Sequence, residues 1–112
     1  MSTKIDSLLI ARYQGGDETA LASLIQKYEK ELYTFIYYKL MDEELANDIF
    51  QDTFVKVIVT LKDGRYNDEG KFILWVKRIA HNLIIDHYRL KSKNQKISET
   101  TYVGEEFSIF DL

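Results

Sequence analysis

Residues 71–93 carry the side chains of this chain that are best suited to bind a charged ligand. The segment holds six lysines and arginines against one acidic residue, although the formal net charge of the whole chain is −3. Cationic side chains gathered on one segment neutralise phosphates, and each contact releases counterions from a nucleic acid. The pattern therefore favours phosphate binding. The candidate cations that lie away from the expected core are Lys77, Arg78, His81, Arg89 and Lys91.

The same segment offers little for catalysis or for metal binding. His81 and His87 are six residues apart, so they cannot share a metal on one helix as an i,i+4 pair would. Neither histidine forms a recognisable nucleophile–base arrangement with its neighbours, and no glycine-rich phosphate loop is present. The chain has no cysteine, which excludes disulfides and thiolate chemistry. We expect a protein that is not an enzyme and that needs no cofactor or metal.

A second pattern precedes this segment. Asp48, Gln51, Asp52 and Val55 follow one another at i, i+3, i+4 and i+7, a spacing that places them along one side of a helix, beside an apolar stripe. An acidic stripe next to apolar residues suits docking against a basic partner helix. An ordinary solvated helix face has the same spacing, and spacing alone favours that explanation.

The residues between these two patterns include groups that contact unpaired bases. Arg65 and Tyr66 have side chains that stack on bases, and Asn67 has an amide that can read a base edge. A generic surface turn would have a similar composition. Trp75 has three interpretations, as a core residue, as a stacking platform or as a wedge between bases, and the core is the default. Asn82 is four residues from Asp86, so the two side chains can simply bond each other.

Helices must position all of these residues. The chain contains no proline and only five glycines, so little interrupts its helical periodicity. We predict a single all-α domain, a compact bundle of four helices over residues 1–93. The predicted helices run from about residue 3 to 13, from 18 to 40 after an Asp17 cap, from an Asp42 cap to Asp63, and from about 70 to 93. Their core positions should include Leu24, Leu32, Ile49, Val57, Phe72, Val76 and Leu90.

After Lys93 the helical pattern ends. Residues 94–112 are polar, acidic and aperiodic, which predicts a flexible tail or linker. The alternatives are that its apolar end docks on the domain or begins a second domain. Neither a signal peptide nor a membrane span is evident, so we expect a cytoplasmic protein without a membrane span.

Two segments resemble a known family. DIFQDTFVKV (residues 48–57) is similar to the D-x-x-Q-D-T-F signature of region 2 in bacterial RNA polymerase sigma factors. The F-x-x-W-V-K-R-I-A-H-N-L-I-I-D-H-Y-R pattern of residues 72–89 resembles the following part of that region, especially in the extracytoplasmic function (ECF) class. The opening DETALASLIQKY (residues 17–28) also resembles the start of the family pattern.

The resemblance implies a transcription initiation factor with two binding surfaces. Asp48, Gln51, Asp52 and Val55 would bind the clamp helices of the largest subunit of core RNA polymerase. The fourth helix and the loop before it would recognise and melt the promoter −10 element, with a base of the non-template strand flipped into a pocket at that loop. The DNA-binding residues implied by position are Arg65, Tyr66, Asn67, Lys77, Arg78, His81, Asn82 and Arg89.

The family allows a further partner, and this chain differs from the family pattern at one position of the fourth helix. An anti-sigma factor is a further partner that the resemblance allows. The family often has arginine where His81 stands, which leaves this surface less positive. Residues 94–112 would lead toward a C-terminal domain for the −35 element. Two other readings stay open, a purely protein-binding helical adaptor or regulatory domain without a nucleic-acid role and a small helix-turn-helix repressor, and the long fourth helix argues against the second.

Overall fold

The computed structural model describes the backbone of residues 2–95 and the side chains of residues 4–93. Its four helices are α1 (Ser2–Gln14), α2 (Glu18–Leu40), α3 (Glu43–Lys62) and α4 (Phe72–Gln95), and these residues include no strand. The predicted all-α fold of four helices is confirmed. α4 continues two residues past the predicted boundary at Lys93, and the rest of the predicted tail, residues 96–112, lies outside the described residues. Over the part that is described, no helix has the length and hydrophobicity needed to cross a membrane.

Aspartate side chains begin α2 and α3, as the sequence predicts. The Asp17 carboxylate accepts a hydrogen bond from the backbone N–H of Thr19 at 3.0 Å, and the Asp42 carboxylate accepts one from Leu45 at 3.1 Å. Hydrogen bonds from Thr19 and Arg12 lower the pKa of Asp17, so the cap is ionised next to the positive end of α2. These caps fix where each helix starts and therefore which residues share a face.

The helices pack through one apolar face each. Phe72 at the start of α4 contacts Tyr28 of α2, with ring centroids 6.0 Å apart. Further along, Lys77 of α4 reaches Glu31 of α2, so these two helices run in the same direction. The largest side chains that are almost fully buried include Leu24, Leu32, Ile36, Val57, Leu61, Val76 and Ile84.

The prediction that Leu90 faces the core is wrong, because 63% of this residue is exposed. α2 ends at Leu40, twelve residues after Tyr28, and both helices rise ~1.5 Å per residue. Support from α2 therefore ends near residue 84 of α4, and Ile84 is the last buried hydrophobic residue along the described part of that helix. Ser92, two residues further along α4, is only 2% exposed, so Leu90 is exposed because it lies on the side of the helix away from the positions buried at this end.

A buried carboxylate attaches α1 to α2. Asp6 is 4% exposed and accepts hydrogen bonds from Lys27 Nζ at 2.6 Å and from the Tyr28 hydroxyl. Burial and the Asp6 charge raise the pKa of Tyr28, so its hydroxyl stays protonated and donates. Ile10 and Tyr13 on the same helix enter the core. Asp6, Ile10 and Tyr13 lie on the same side of α1, so the hydrogen bonds and the apolar contacts together fix the position of α1 against α2.

Replacing Asp6 with alanine should destabilise the fold. The Tyr28 hydroxyl would lose its buried acceptor and Lys27 would lose an ion-pair partner, which together cost about 2–4 kcal/mol of unfolding free energy. Urea unfolding monitored by circular dichroism measures this loss. The exposed carboxylate Asp48 offers a matched control, since Asp48→Ala should change the unfolding free energy by less than about 0.5 kcal/mol. Equal stabilities of the two variants would contradict the assigned role of Asp6.

Candidate nucleic-acid interface

The loop between α3 and α4 forms one side of a pocket of about 410 Å³. Arg65, Tyr66 and Asn67, the three loop residues singled out in the sequence, all line it. Trp75 and Arg78 from the first turns of α4 line it as well. The loop can bend in this way because Gly64 and Gly70 adopt positive φ angles of 69° and 76°, where a side chain would be strained. The pocket thus combines aromatic surface with two guanidinium groups.

Aromatic rings give this pocket a firm wall. The Tyr66 and Trp75 ring centroids are 4.3 Å apart, and both rings pack on the buried Phe72 at 6.1 and 5.9 Å. Burial, with help from the Asp68 charge, raises the pKa of Tyr66 to about 12. The hydroxyl is therefore neutral at physiological pH and acts as a hydrogen-bond donor. Such a wall offers a π surface on which any nucleobase can stack.

The charged rim of the pocket is accessible to solvent. Arg65 is paired with Asp63 at 3.2 Å, but both side chains are more than half exposed, so water screens the pair and the guanidinium keeps free donors. Asn67 and Arg78 are also exposed. A ligand that brings a phosphate or a base edge to this rim would meet donors that need little desolvation.

Arg78, Asn82 and Arg89 continue from the pocket along α4. They are spaced at i, i+4 and i+11, which puts them on one side of the helix, and all three are exposed. His81 is three residues after Arg78 and is half-buried beside this row. We call Arg78, His81, Asn82 and Arg89 the outer face of α4. The structure thus brings four of the five predicted α4 residues onto one surface that begins at the pocket.

Lys77, the fifth, is turned toward α2. Its ammonium donates to Glu31 at 2.8 Å and lies 5.5 Å from the ring centroid of Phe35, and only 25% of its side chain is exposed. The lysine fills a groove between α2 and α4, where Glu31 balances its charge. Lys77 is therefore separated from the outer face of α4 although Arg78 is its neighbour in sequence.

The acidic stripe of α3 is exposed along its whole length. Asp48, Gln51 and Asp52 are open to solvent, and 58% of Val55 is exposed. The opposite side of α3 is buried through Ala46, Ile49, Thr53, Val57 and Leu61. Single exposed apolar residues are common on solvated helix faces, so the exposure of Val55 fits a solvated face as well as a protein-binding one. We call Asp48, Gln51, Asp52 and Val55 the acidic face of α3.

Sequence reasoning missed some of the residues at both surfaces. Val59 is 46% exposed and extends the acidic face of α3 by one turn, as its i+4 spacing from Val55 could have indicated. Leu74 and Lys71 line the pocket, and Leu74 is 58% exposed. Trp75 is half-buried and packs against the core, as the default prediction expected, and it also lines the pocket. A leucine next to a tryptophan at the start of a helix that follows a polar loop was the available signal.

The chain is similar to one protein-family model and to several curated proteins. The protein-family model of sigma-70 region 2 matches residues 24–94. The chain is 31% identical to the ECF RNA polymerase sigma factor BldN of Streptomyces coelicolor, over 83% of the chain and 34% of the relative. It is 29% identical to the RNA polymerase sigma-H factor of Pseudomonas aeruginosa, over 91% of the chain and 52% of the relative.

A third relative is the ECF RNA polymerase sigma factor SigW of Bacillus subtilis, which is 34% identical over 73% of the chain and 43% of the relative. The chain thus spans about a third to a half of the length of these curated relatives. No solved structure gives a significant match.

Proposed function

Since this chain belongs to the sigma-70 region 2 family, we propose that it serves as the region 2 domain of an ECF-type sigma factor, with the domain spanning residues 1–93. In this role it acts by binding, as a transcription initiation factor, and performs no catalysis of its own. Transcription in bacteria takes place in the cytoplasm, so the same proposal assigns the chain to that compartment.

The acidic face of α3 is the surface that recruits core RNA polymerase. Asp48, Gln51 and Asp52 present carboxylates and an amide to a basic helix of the clamp. Val55 adds an apolar contact to the same helix. Exposed charges of this kind set the orientation and rate of association, while the apolar residue contributes to affinity once water is excluded. Every member of the set is accessible without rearrangement of the bundle, which supports this assignment.

The loop pocket and the outer face of α4 hold promoter DNA of the −10 element. An unpaired base of the non-template strand enters the pocket, stacks on the wall of Tyr66 and Trp75, and presents its edge to Asn67 and Arg65. The backbone of the strand then follows the outer face of α4. Stacking is worth about 1–3 kcal/mol per base, comparable to the few kcal/mol that extruding a base from duplex costs. Capture of a separated strand is thus energetically feasible.

The observation that carries this proposal is the pocket itself, in which the partly exposed rings of Tyr66 and Trp75 lie beside the guanidinium groups of Arg65 and Arg78, with Glu69 as the acidic lining residue. Tyrosine, tryptophan and arginine are also enriched at protein–protein interfaces, so the continuity of the pocket with the outer face of α4 is what favours a nucleic-acid strand. The position of Arg78, shared by the pocket and the outer face, joins the two parts into one continuous track for a single strand.

Fluorescence of Trp75, the only tryptophan of the chain, tests the proposal directly. Titration with single-stranded oligonucleotides that carry −10 sequences should quench this residue, because a base stacks beside it. The same sequences in duplex form should quench it much less, since their bases are paired and the chain is negatively charged overall. Quenching by neither form, with retained binding to core polymerase, would favour a purely protein-binding module.

A further inference from the structure

One carboxylate connects the pocket loop to α1. Asp68 Oδ1 accepts a hydrogen bond from the backbone N–H of Gly70 at 3.0 Å and another from the Tyr66 hydroxyl at 3.4 Å. Interaction with the Ser7 side chain of α1 is the first cause of the lowered pKa of this carboxyl, followed by the Gly70 bond. Asp68 is therefore ionised at neutral pH and interacts both with its own loop, through Tyr66 and Gly70, and with Ser7, which is 61 positions earlier in the chain.

α1 also contacts the other end of the loop. The Gln14 amide donates to the backbone carbonyl of Leu61 at 3.3 Å, in the last turn of α3 where the loop begins. Ser7 and Gln14 are seven residues apart, so they lie about two turns apart along one helix. α1 thus spans the loop from its start at α3 to its end near Gly70. The buried Asp6 bonds hold α1 itself on α2.

Tyr66 connects Asp68 to the pocket. Its ring lies against Trp75 in the pocket wall, and its hydroxyl is directed to Asp68. An exposed loop with no regular secondary structure would otherwise leave a tyrosine free to change rotamer. With its ring packed and its hydroxyl bonded, Tyr66 has little freedom, and a base would meet a preformed surface.

We propose that Asp68, held by Ser7 of α1, is a positioning residue that fixes Tyr66 in the pocket wall and thereby sets the affinity of the pocket for an unpaired base. α1 precedes residues 24–94, the part that the family model matches. The identity of the ligand rests on the function proposed above. The position of Tyr66 does not, since it can be measured in the free protein.

Three variants of the 112-residue chain test the proposal: Asp68→Ala, Asp68→Asn and Ser7→Ala. Asp68→Ala should make Trp75 more accessible to acrylamide quenching and weaken binding of a single-stranded −10 oligonucleotide about fivefold, because Tyr66 loses its anchor. Asp68→Asn keeps an acceptor oxygen and should recover part of both losses. Ser7→Ala should cause smaller changes in the same direction. Because it leaves the loop sequence intact, it also tests the proposal if Asp68→Ala folds poorly.

Glu29→Gln is the matched control. It removes one negative charge from an exposed position of α2, so it should match the wild type in both measurements. Wild-type acrylamide quenching and wild-type oligonucleotide affinity in both Asp68→Ala and Ser7→Ala would overturn the proposal. Should the wild-type chain bind no oligonucleotide, the proposed function fails, and quenching of Trp75 in the free variants alone decides whether Asp68 positions Tyr66.

Discussion

The double variant Asp48→Lys, Gln51→Ala should bind core RNA polymerase at least about thirtyfold more weakly than the wild type, a loss of about 2 kcal/mol. Asp48 then presents a like charge to a basic partner helix, and truncation of Gln51 removes a hydrogen-bonding group from the centre of the same face. Both residues are exposed, so the unfolding free energy should hardly change. Biolayer interferometry with immobilised core polymerase measures the affinity.

A control for this variant must change the charge equally at a site away from the acidic face of α3. Glu29→Lys meets the requirement, because it reverses one exposed carboxylate on α2 and should retain nearly wild-type binding. The Asp48 and Gln51 variant should still quench Trp75 fluorescence with single-stranded DNA as the wild type does. Equal losses of polymerase binding in the two variants would mean that overall charge, rather than the acidic face of α3, recruits the enzyme.

Reversing the charge of Arg78 and Arg89 together should weaken binding of single-stranded −10 DNA by more than about tenfold and leave polymerase binding intact. The two arginines are exposed on the outer face of α4, where each is expected to neutralise a phosphate. Loss of two phosphate contacts should also lower the slope of log affinity against log salt by about 1.4. Oligonucleotide titrations at several salt concentrations measure both quantities.

Two adjacent positions provide a sharper comparison. Arg78→Gln and Lys77→Gln remove the same charge from neighbouring residues of α4, but Arg78 lines the pocket whereas Lys77 is paired with Glu31 in the groove toward α2. We expect Arg78→Gln to lower DNA affinity more than Lys77→Gln. An equal or larger effect at Lys77 would show that the strand crosses toward α2, and the track proposed along the outer face would be wrong.

The helices and most of the site could be predicted from periodicity and composition. α2 has the predicted bounds because Asp17 caps it and apolar residues recur along one face until Leu40. Asp48, Gln51, Asp52 and Val55 share an exposed face as their spacing requires, since residues on a helix have an angular position that the sequence alone defines.

The rest depends on where neighbouring elements end and what they carry. Leu90 continues the apolar spacing of α4, but the buried side of that helix shifts toward Ser92 at its end, which the spacing does not indicate. Lys77 has a side chain of the type that contacts DNA, but its ammonium pairs with Glu31, which is 46 residues earlier in the chain. The contact of Ser7 with Asp68 joins segments that no local pattern relates. Tertiary contacts of this kind are set by packing and leave no periodic signal in the sequence.

The support that α1 gives to the loop has a consequence for building hybrid proteins. The family match begins at Leu24, inside α2 and after every residue of α1. A chimaera with its crossover at that position would take the loop proposed to read the promoter from one parent and the helix proposed to support it from the other. Its base preference would then follow neither parent faithfully. A hybrid that takes α1 and the loop from the same parent should keep the base specificity of that parent.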